Sequence, residues 1–141
     1  MAIPVVVGIL WRENKILVAE RPPHKPYAGY WEFPGGKVEA HETELAAIQR
    51  ELHEELGIAV KHAKLWRQFT HVYPDKTVLL NLYFITDFSG EPYSREQQQL
   101  RWVTWLELLD LRLLEGNKII IKELGTLFSC DHFESSHSFP V

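Results

Sequence analysis

One amphipathic helix, set among short apolar segments, is the feature that most constrains the fold of this chain. Between Thr43 and Leu56, apolar side chains recur at spacings of three and four residues, which predicts a single helical stripe formed by Leu45, Ile48, Leu52 and Leu56. Thr43 is a favourable N-cap residue, and Gly57 is favourable at the position after a helix. Such a stripe must be buried against another layer of structure.

Segments rich in β-branched and aromatic residues predict strands on both sides of this helix. We expect two hairpins, one at residues 3–11 with 16–19 and one at 65–73 with 77–84. We also expect a short strand at 31–33 that ends in Pro-Gly-Gly, a later strand at 100–103, and two short helices at 105–109 and 118–124. This order of elements predicts an α/β fold in which a mixed β-sheet is sandwiched between helices, an α/β/α arrangement.

Length and cysteine content favour one globular domain in a reducing compartment. The chain has 141 residues with ordinary composition, which is enough for one core without disulfides. Its single cysteine, Cys130, excludes a disulfide framework and favours a cytoplasmic location. Periodicity is lost after Gly125, so we expect a domain at 1–125 and a tail of unknown role at 126–141. In that tail, a zinc site at Cys130, His132 and His137 is a weaker interpretation than a loosely docked end.

The balance of charge argues against a nucleic-acid polymer as partner. Fifteen basic and nineteen acidic residues give a formal charge of −4. A negative charge disfavours binding to a polyanion, so we expect any nucleotide ligand to be small. The apolar N-terminal segment lacks preceding basic residues and is followed by charged ones, which predicts neither a signal peptide nor a membrane span. A monomer and a homodimer are both compatible with the sequence.

The same helix carries an unusual cluster of carboxylates. Glu51, Glu54 and Glu55 fall within an arc of about 100° beside the apolar stripe. Mutual repulsion raises the cost of ionising them, and a hard divalent cation such as Mg²⁺ removes that cost. The alternative is an ordinary solvated face in which Arg50 pairs with Glu54 at a spacing of four residues.

The residues around this cluster resemble the Nudix box. The segment 36–58 reads GKVEAHETELAAIQRELHEELGI, and it matches the box at every defined position: Gly36, Glu42, Arg50, Glu51, Leu52, Glu54, Glu55, Gly57 and Ile58. The resemblance implies the Nudix fold and hydrolysis of a nucleoside diphosphate linked to another moiety. It also implies Mg²⁺ as cofactor, or Mn²⁺, bound by the glutamates of the box.

The resemblance implies a role for each matching residue. Glu51, Glu54 and Glu55 would bind metal, and Glu51 is also a candidate base for the attacking water. Gly35 would offer its backbone carbonyl to a metal, and Arg50 would orient Glu51 through a charge-assisted hydrogen bond. Glu42 would brace the loop at the start of the helix. The expected catalytic residues are therefore Arg50 and the three glutamates.

Beyond the box, residues 1–124 are similar to the MutT-like nucleoside triphosphate pyrophosphohydrolases, which act on 8-oxo-dGTP. The shared features are a strand ending in Arg21, the run Glu-Phe-Pro-Gly-Gly-Lys at 32–37, Gly-Glu-Pro at 90–92 followed by Glu96, and an asparagine, Asn117. The resemblance implies that Glu96 is a further metal ligand. The implied substrate-binding residues are Arg21, Glu32, Phe33, Pro34, Gly35, Lys37, Lys76 and Asn117.

Several alternatives stay open on sequence grounds. Asn117 is as consistent with an N-cap of the following helix as with a residue that reads a purine. The chain has Pro26 where the MutT-like group can place a histidine, with His24 nearby. Other candidate substrates are CTP, a dinucleoside polyphosphate or ADP-ribose, and another class of function is a non-catalytic nucleotide-binding module. The complete set of box glutamates favours the enzyme.

Overall fold

The computed structural model describes residues 1–128, in which seven strands and three helices follow one another along the chain. The strands are β1 (Ala2–Arg12), β2 (Lys15–Glu20), β3 (Trp31–Glu32), β4 (Gly35–Lys37), β5 (Ala59–Val72), β6 (Thr77–Ser89) and β7 (Leu100–Val103). The helices are α1 (Glu44–Leu56), α2 (Trp105–Asp110) and α3 (Glu115–Phe128). Both predicted hairpins are present, as β1–β2 and β5–β6.

Strand β1 is the centre of a mixed sheet. It pairs in parallel with β6, from Ala2 opposite Thr77 to Leu10 opposite Ile85, and antiparallel with β4. Strand β5 extends the sheet beyond β6, while β2 leaves the end of β1 and pairs with β3 and β7. This arrangement confirms the predicted mixed sheet, and it brings β3, β4 and the start of the loop after β2 close together.

The two faces of the sheet are covered by different helices. On one face, Ile48, Leu52 and Leu56 of α1 join a buried cluster with side chains of β1 and β6. On the other face, Ile120 and Leu124 of α3 and Leu108 of α2 join a second buried cluster with the sheet. The predicted α/β/α layering is thereby confirmed. Leu45, expected in the apolar stripe of α1, is 46% exposed, so the buried stripe begins one turn later than predicted.

Several elements differ from the predictions in their bounds. Strand β4 was not expected, because a Gly-Gly pair carries no side-chain pattern. The backbone of β4 pairs so closely with β1 that a Cβ on Gly35 would lie 2.1 Å from the Val6 carbonyl oxygen. Strand β5 begins at Ala59, before its predicted start at residue 65. The early part was not predicted because several of its residues are polar, and they pair with β6 irregularly around bulges.

Helix α3 is longer than predicted at both ends, and it continues past residue 125, where the tail was expected to begin. It continues through Gly125 to Phe128, so residues 126–128 are helical. Its extension is stabilised by Phe128, which is only 4% exposed and stacks on Trp11 and Trp105 with ring centroids 5.0 and 5.2 Å away. The rest of the expected tail, including the zinc interpretation at Cys130, His132 and His137, lies outside the described residues. No helix within residues 1–128 is long and apolar enough to cross a bilayer.

Replacing Phe128 with alanine should lower the free energy of unfolding by about 3–5 kcal/mol, because a buried aromatic ring is removed from between two tryptophans. The measurement is urea denaturation followed by tryptophan fluorescence. The control is Lys122→Ala, at an exposed position of the same helix, which should change stability by less than about 0.5 kcal/mol. Equal stability of the two variants would show that the last turn of α3 does not hold the core.

Candidate active site

Both ends of α1 are fixed by local interactions that the sequence predicted. The Thr43 side chain accepts a hydrogen bond from the Ala46 backbone N–H at 3.0 Å, as an N-cap does. At the other end, Gly57 adopts a φ of 70°, in the left-handed region that favours glycine. A Cβ at Gly57 would also lie 2.3 Å from the ring of Tyr93. The glutamates of α1 are therefore presented from a helix with fixed ends.

Arg50 is the centre of an ion-pair network at the edge of α1. Its Nε and one Nη donate to the two carboxylate oxygens of Glu42 at 2.7 and 2.9 Å, and the same Nη donates to the Lys37 carbonyl at 2.9 Å. Its other Nη donates to Glu51 at 3.0 Å, as the resemblance implied, and to Glu54 at 3.3 Å. The Arg50 hydrogen bonds, with one from the backbone of Glu39, lower the pKa of Glu42 to about 2. The network thus joins α1 to the segment after β4.

A polar cavity of about 210 Å³ lies beside this network and collects most of the predicted metal ligands. It is lined by Arg21, Pro22, Lys25, Glu32, Gly35, Glu51, Glu55, Glu96 and Gln98. Burial raises the pKa of Glu55 well above the usual range for a carboxyl group, and contact with Glu51 and repulsion from Glu96 and Glu32 raise it further. A divalent cation fits this donor set, because it would compensate the negative charge that these groups carry when ionised.

Glycine in β4 is what allows Glu51 to reach the cavity. The Glu51 carboxyl lies so near the backbone of Gly36 that a Cβ there would be 2.3 Å from its Cδ and one of its oxygens. Real Cβ atoms essentially never approach another atom this closely. Gly36 therefore leaves room for the Glu51 carboxyl where it lies, and a methyl group there would displace the end of that side chain. The backbone of Gly36 is not in the left-handed region, so the effect is one of space.

Some predicted site residues lie outside this cavity. The side chain of Glu54, expected to bind metal, is 52% exposed and pairs with Arg50, which is the contact that the solvated-face alternative predicted. Lys37 is exposed and contributes its carbonyl to Arg50, whereas Pro34 is buried and accepts a hydrogen bond from Gly8 N–H at 2.8 Å. Within residues 1–128, no three Asp, Glu, His or Cys side chains are grouped closely enough to form a metal-binding cluster as they stand.

A second cavity, of about 340 Å³, adjoins the first and shares Arg21, Glu32 and Gly35 as lining residues. The rest of its lining is mostly apolar or aromatic, and Lys76 and Asn117 add two polar side chains. The other lining residues are Val5, Val7, Phe33, Gly36, Tyr73, Val78, Leu80, Leu114, Gly116 and Ile120. It brings together three residues that the sequence predicted as substrate-binding but placed far apart in the chain, namely Phe33, Lys76 and Asn117. An apolar cavity beside a charged one has room for a base beside phosphates.

Asn117 does not cap α3, so the N-cap interpretation is wrong. It lies inside the helix, which begins at Glu115, and its Oδ1 accepts a hydrogen bond from the backbone N–H of Phe33 at 3.0 Å. No hydrogen bond among the described residues uses its side-chain NH₂ group as donor. The contact fastens β3 to α3 and leaves a donor in the second cavity.

Sequence reasoning did not predict several residues that line these cavities, among them Lys25, Tyr73, Gln98 and Gly116. Gly116 precedes the predicted helix at 118–124, so nothing in the sequence indicated that it lies inside α3. A Cβ there would lie 2.2 Å from the hydroxyl of Tyr73. Gln98 stands in a hydrophilic run that gave no indication of burial.

Comparisons with known proteins point to one family. The NUDIX domain model matches residues 1–124. The 8-oxo-dGTP diphosphatase of Haemophilus influenzae is 40% identical over 102 residues, covering 72% of this chain and 75% of that protein. The CTP pyrophosphohydrolase of Escherichia coli is 38% identical over 121 residues, covering 81% and 90%. A solved structure from work on MutT of Aliivibrio salmonicida and Vibrio cholerae has a TM-score of 0.78 and 36% identity, covering 91% of this chain and 100% of that one.

The raised pKa of Glu55 predicts a pH dependence for the metal-free protein. The folded state keeps a proton on Glu55 that the unfolded chain releases near pH 4.3, so the folded state binds more protons above that pH. Stability should therefore fall as pH rises from about 5 to about 8. In Glu55→Gln, which cannot ionise, this fall should be smaller. Melting temperatures in the presence of a chelator measure it.

Glu54→Gln is the matched control for this experiment, because it removes an exposed carboxylate from the same helix. It should keep the pH dependence of the wild-type protein. If Glu55→Gln and Glu54→Gln both followed the wild-type curve, Glu55 would not hold a proton in the folded metal-free state.

Proposed function

Since this chain belongs to the Nudix hydrolase family, we propose that it hydrolyses 8-oxo-dGTP to 8-oxo-dGMP and pyrophosphate with Mg²⁺ as cofactor. One observation carries the proposal: a carboxylate-lined cavity and an apolar cavity meet at Arg21, Glu32 and Gly35. The first suits a cation and phosphates, and the second suits a base. The relatives named 8-oxo-dGTP diphosphatase support this choice of substrate.

The residues that would hold Mg²⁺ are Glu51, Glu55, Glu96 and the Gly35 carbonyl, with Glu54 joining them if it leaves Arg50. When bound, the cation would neutralise phosphate charge and acidify a water molecule. Manganese could replace it in this set of oxygen ligands. The cost of crowding buried carboxylates is then offset by the cation.

Glu51 is the candidate base for the attacking water. Its Oε2 accepts a hydrogen bond from Arg50, which orients the carboxyl, and Glu51 would take the proton of the water once the cation replaces its contact with Glu55. Arg21 and Lys25 bring positive charge to the same cavity and would bind the phosphates. Hydrolysis of a phosphoanhydride bond depends on positioning and charge neutralisation, and these residues supply both.

Asn117 would distinguish the oxidised base from guanine. 8-Oxoguanine presents a carbonyl acceptor next to a protonated ring nitrogen, where guanine presents two acceptors. The Asn117 NH₂ group can donate to the carbonyl, and Oδ1 has a second lone pair besides the one that Phe33 N–H occupies. Phe33 and Lys76 line the same cavity and would contact the nucleoside.

CTP is a second candidate substrate, favoured by the similarity to the CTP pyrophosphohydrolase of Escherichia coli. It needs the same phosphate chemistry but offers a smaller base.

Hydrolysis of 8-oxo-dGTP in the cytoplasm would remove an oxidised nucleotide from the pool used for DNA synthesis. This role requires a small nucleotide as partner and no nucleic-acid polymer, in keeping with the net negative charge of the chain.

The proposal is tested by incubating the purified protein with Mg²⁺ and each of 8-oxo-dGTP, dGTP and CTP, and then identifying the phosphorus products by NMR. We expect the highest kcat/KM for 8-oxo-dGTP, with 8-oxo-dGMP and pyrophosphate as products. Asn117→Ala should reduce the preference for 8-oxo-dGTP over dGTP by about tenfold. Asn117→Asp keeps an acceptor for Phe33 N–H and for the protonated ring nitrogen but removes the NH₂ donor to the carbonyl that both purines share, so it should lower kcat/KM for both nucleotides while keeping the preference for 8-oxo-dGTP and the fold.

Lys122→Ala is the control and should keep the wild-type preference, because Lys122 is exposed and lines neither cavity. Higher kcat/KM for CTP would replace the proposed substrate with the second candidate. Release of orthophosphate in place of pyrophosphate would contradict the proposed bond cleavage. If Asn117→Ala kept the wild-type preference for 8-oxo-dGTP over dGTP, the Asn117 amide would serve only to fasten β3 to α3.

A further inference from the structure

Gln98 carries the one buried side-chain oxygen or nitrogen atom in residues 1–128 that has no hydrogen-bond partner. The atom is its Oε1, and Gln98 lines the polar cavity together with Glu51, Glu55 and Glu96. Burying a polar atom without a partner costs about 1–3 kcal/mol. Such atoms are few in native structures, and a water molecule or an ion that supplies the missing interaction is one explanation for them.

The backbone that carries Gln98 is fastened to the end of α1. The backbone N–H groups of Tyr93 and Arg95 donate to the carbonyls of Leu56 and Glu55, each at 3.1 Å, so the segment satisfies carbonyls that the helix itself leaves free. Closer to Gln98, its own N–H donates to the Ser94 hydroxyl at 3.0 Å. The position of Gln98 is therefore set by the same helix that presents Glu51 and Glu55.

The next residue fixes the segment from the other side. The Gln99 carbonyl accepts a hydrogen bond from the backbone N–H of Glu20, at the end of β2, with a distance of 2.8 Å. Gln98 thus lies between an attachment to α1 and an attachment to the sheet. Its place in the cavity follows from backbone contacts and does not require its own amide to bond to protein.

The chemistry of Oε1 limits what can bind it. A carbonyl oxygen is an acceptor, so it does not bind the anionic oxygens of a phosphate. A cation or a water molecule can complete it, and the carboxylates of Glu51, Glu55 and Glu96 in the same cavity favour the cation. We propose that Gln98 is a further cation-binding residue, which adds a neutral oxygen to these carboxylates without adding charge.

This inference rests on the proposed function, and it is tested by Mn²⁺ binding in the absence of nucleotide. The free ion is measured by electron paramagnetic resonance. Gln98→Met keeps the approximate size of the side chain and removes the amide, so the Kd for Mn²⁺ should rise about tenfold. The melting temperature of the metal-free variant should stay the same or rise, because the buried oxygen without a partner is gone. Gln98→Glu, which keeps an oxygen at this position, should bind Mn²⁺ at least as well as the wild type.

Gln99→Met is the matched control, since it makes the same change at the adjacent, exposed glutamine. It should leave Mn²⁺ affinity at the wild-type value. Wild-type affinity in Gln98→Met would overturn the inference and indicate that a water molecule completes Oε1. A melting temperature lowered in metal-free Gln98→Met, or failure of that variant to fold, would also overturn it, because the amide would then be structural.

The two proposals fail in different ways. If the wild-type protein binds Mn²⁺ and hydrolyses a nucleotide while Gln98→Met binds Mn²⁺ equally well, only the role of Gln98 is wrong. If the wild-type protein neither binds Mn²⁺ nor hydrolyses any of the nucleotides tested, the proposed function itself is wrong, and the inference falls with it.

Discussion

The contact between the Glu51 carboxyl and the backbone of Gly36 is the constraint on which the site depends. It fixes where the carboxyl can lie, since a methyl group at Gly36 would lie 2.3 Å from the carboxyl carbon and the Glu51 side chain would have to move away. Strand β4 in turn pairs with β1 at the centre of the sheet, and Arg50 binds both Glu51 and the carbonyl that follows Gly36. Helix α1 is therefore attached to the sheet beside the cavity that Glu51 and Glu55 line. Apolar packing of Ile48 and Leu52 holds the other side of the same helix.

The site has two parts with opposite physical demands. One part gathers carboxylates in a small polar cavity, where burial raises the pKa of Glu55 because the charged form loses its hydration. This arrangement costs stability in the metal-free protein, and a bound cation would recover that cost. The other part is mostly apolar and is held in shape by the hydrogen bond from Phe33 to Asn117. Arg21 lines both parts.

Much of this could be predicted from the sequence, because the signals were local. Helical spacing and end residues located α1, and the alternation of apolar segments and turns located both hairpins. What could not be predicted depends on distant partners. Strand β4 forms because its backbone pairs with β1, and its two glycines have no side-chain pattern from which this pairing could be predicted. The length of α3 depends on Phe128 reaching Trp11 and Trp105. The unpartnered oxygen of Gln98 is a property of its surroundings and leaves no trace in the order of residues.

Metal-dependent activity of Gly36→Ala, compared with that of Gly125→Ala, tests the central claim most directly. At Gly36 the added methyl displaces the Glu51 carboxyl, whereas at Gly125 it meets only the ring of Trp105 at 3.7 Å, an ordinary contact. Gly36→Ala should therefore lose about 100-fold or more in kcat with 8-oxo-dGTP and Mg²⁺, while Gly125→Ala should keep wild-type activity. Wild-type kcat in a folded Gly36→Ala variant would contradict the claim, because Glu51 would then not need its place against the backbone of β4.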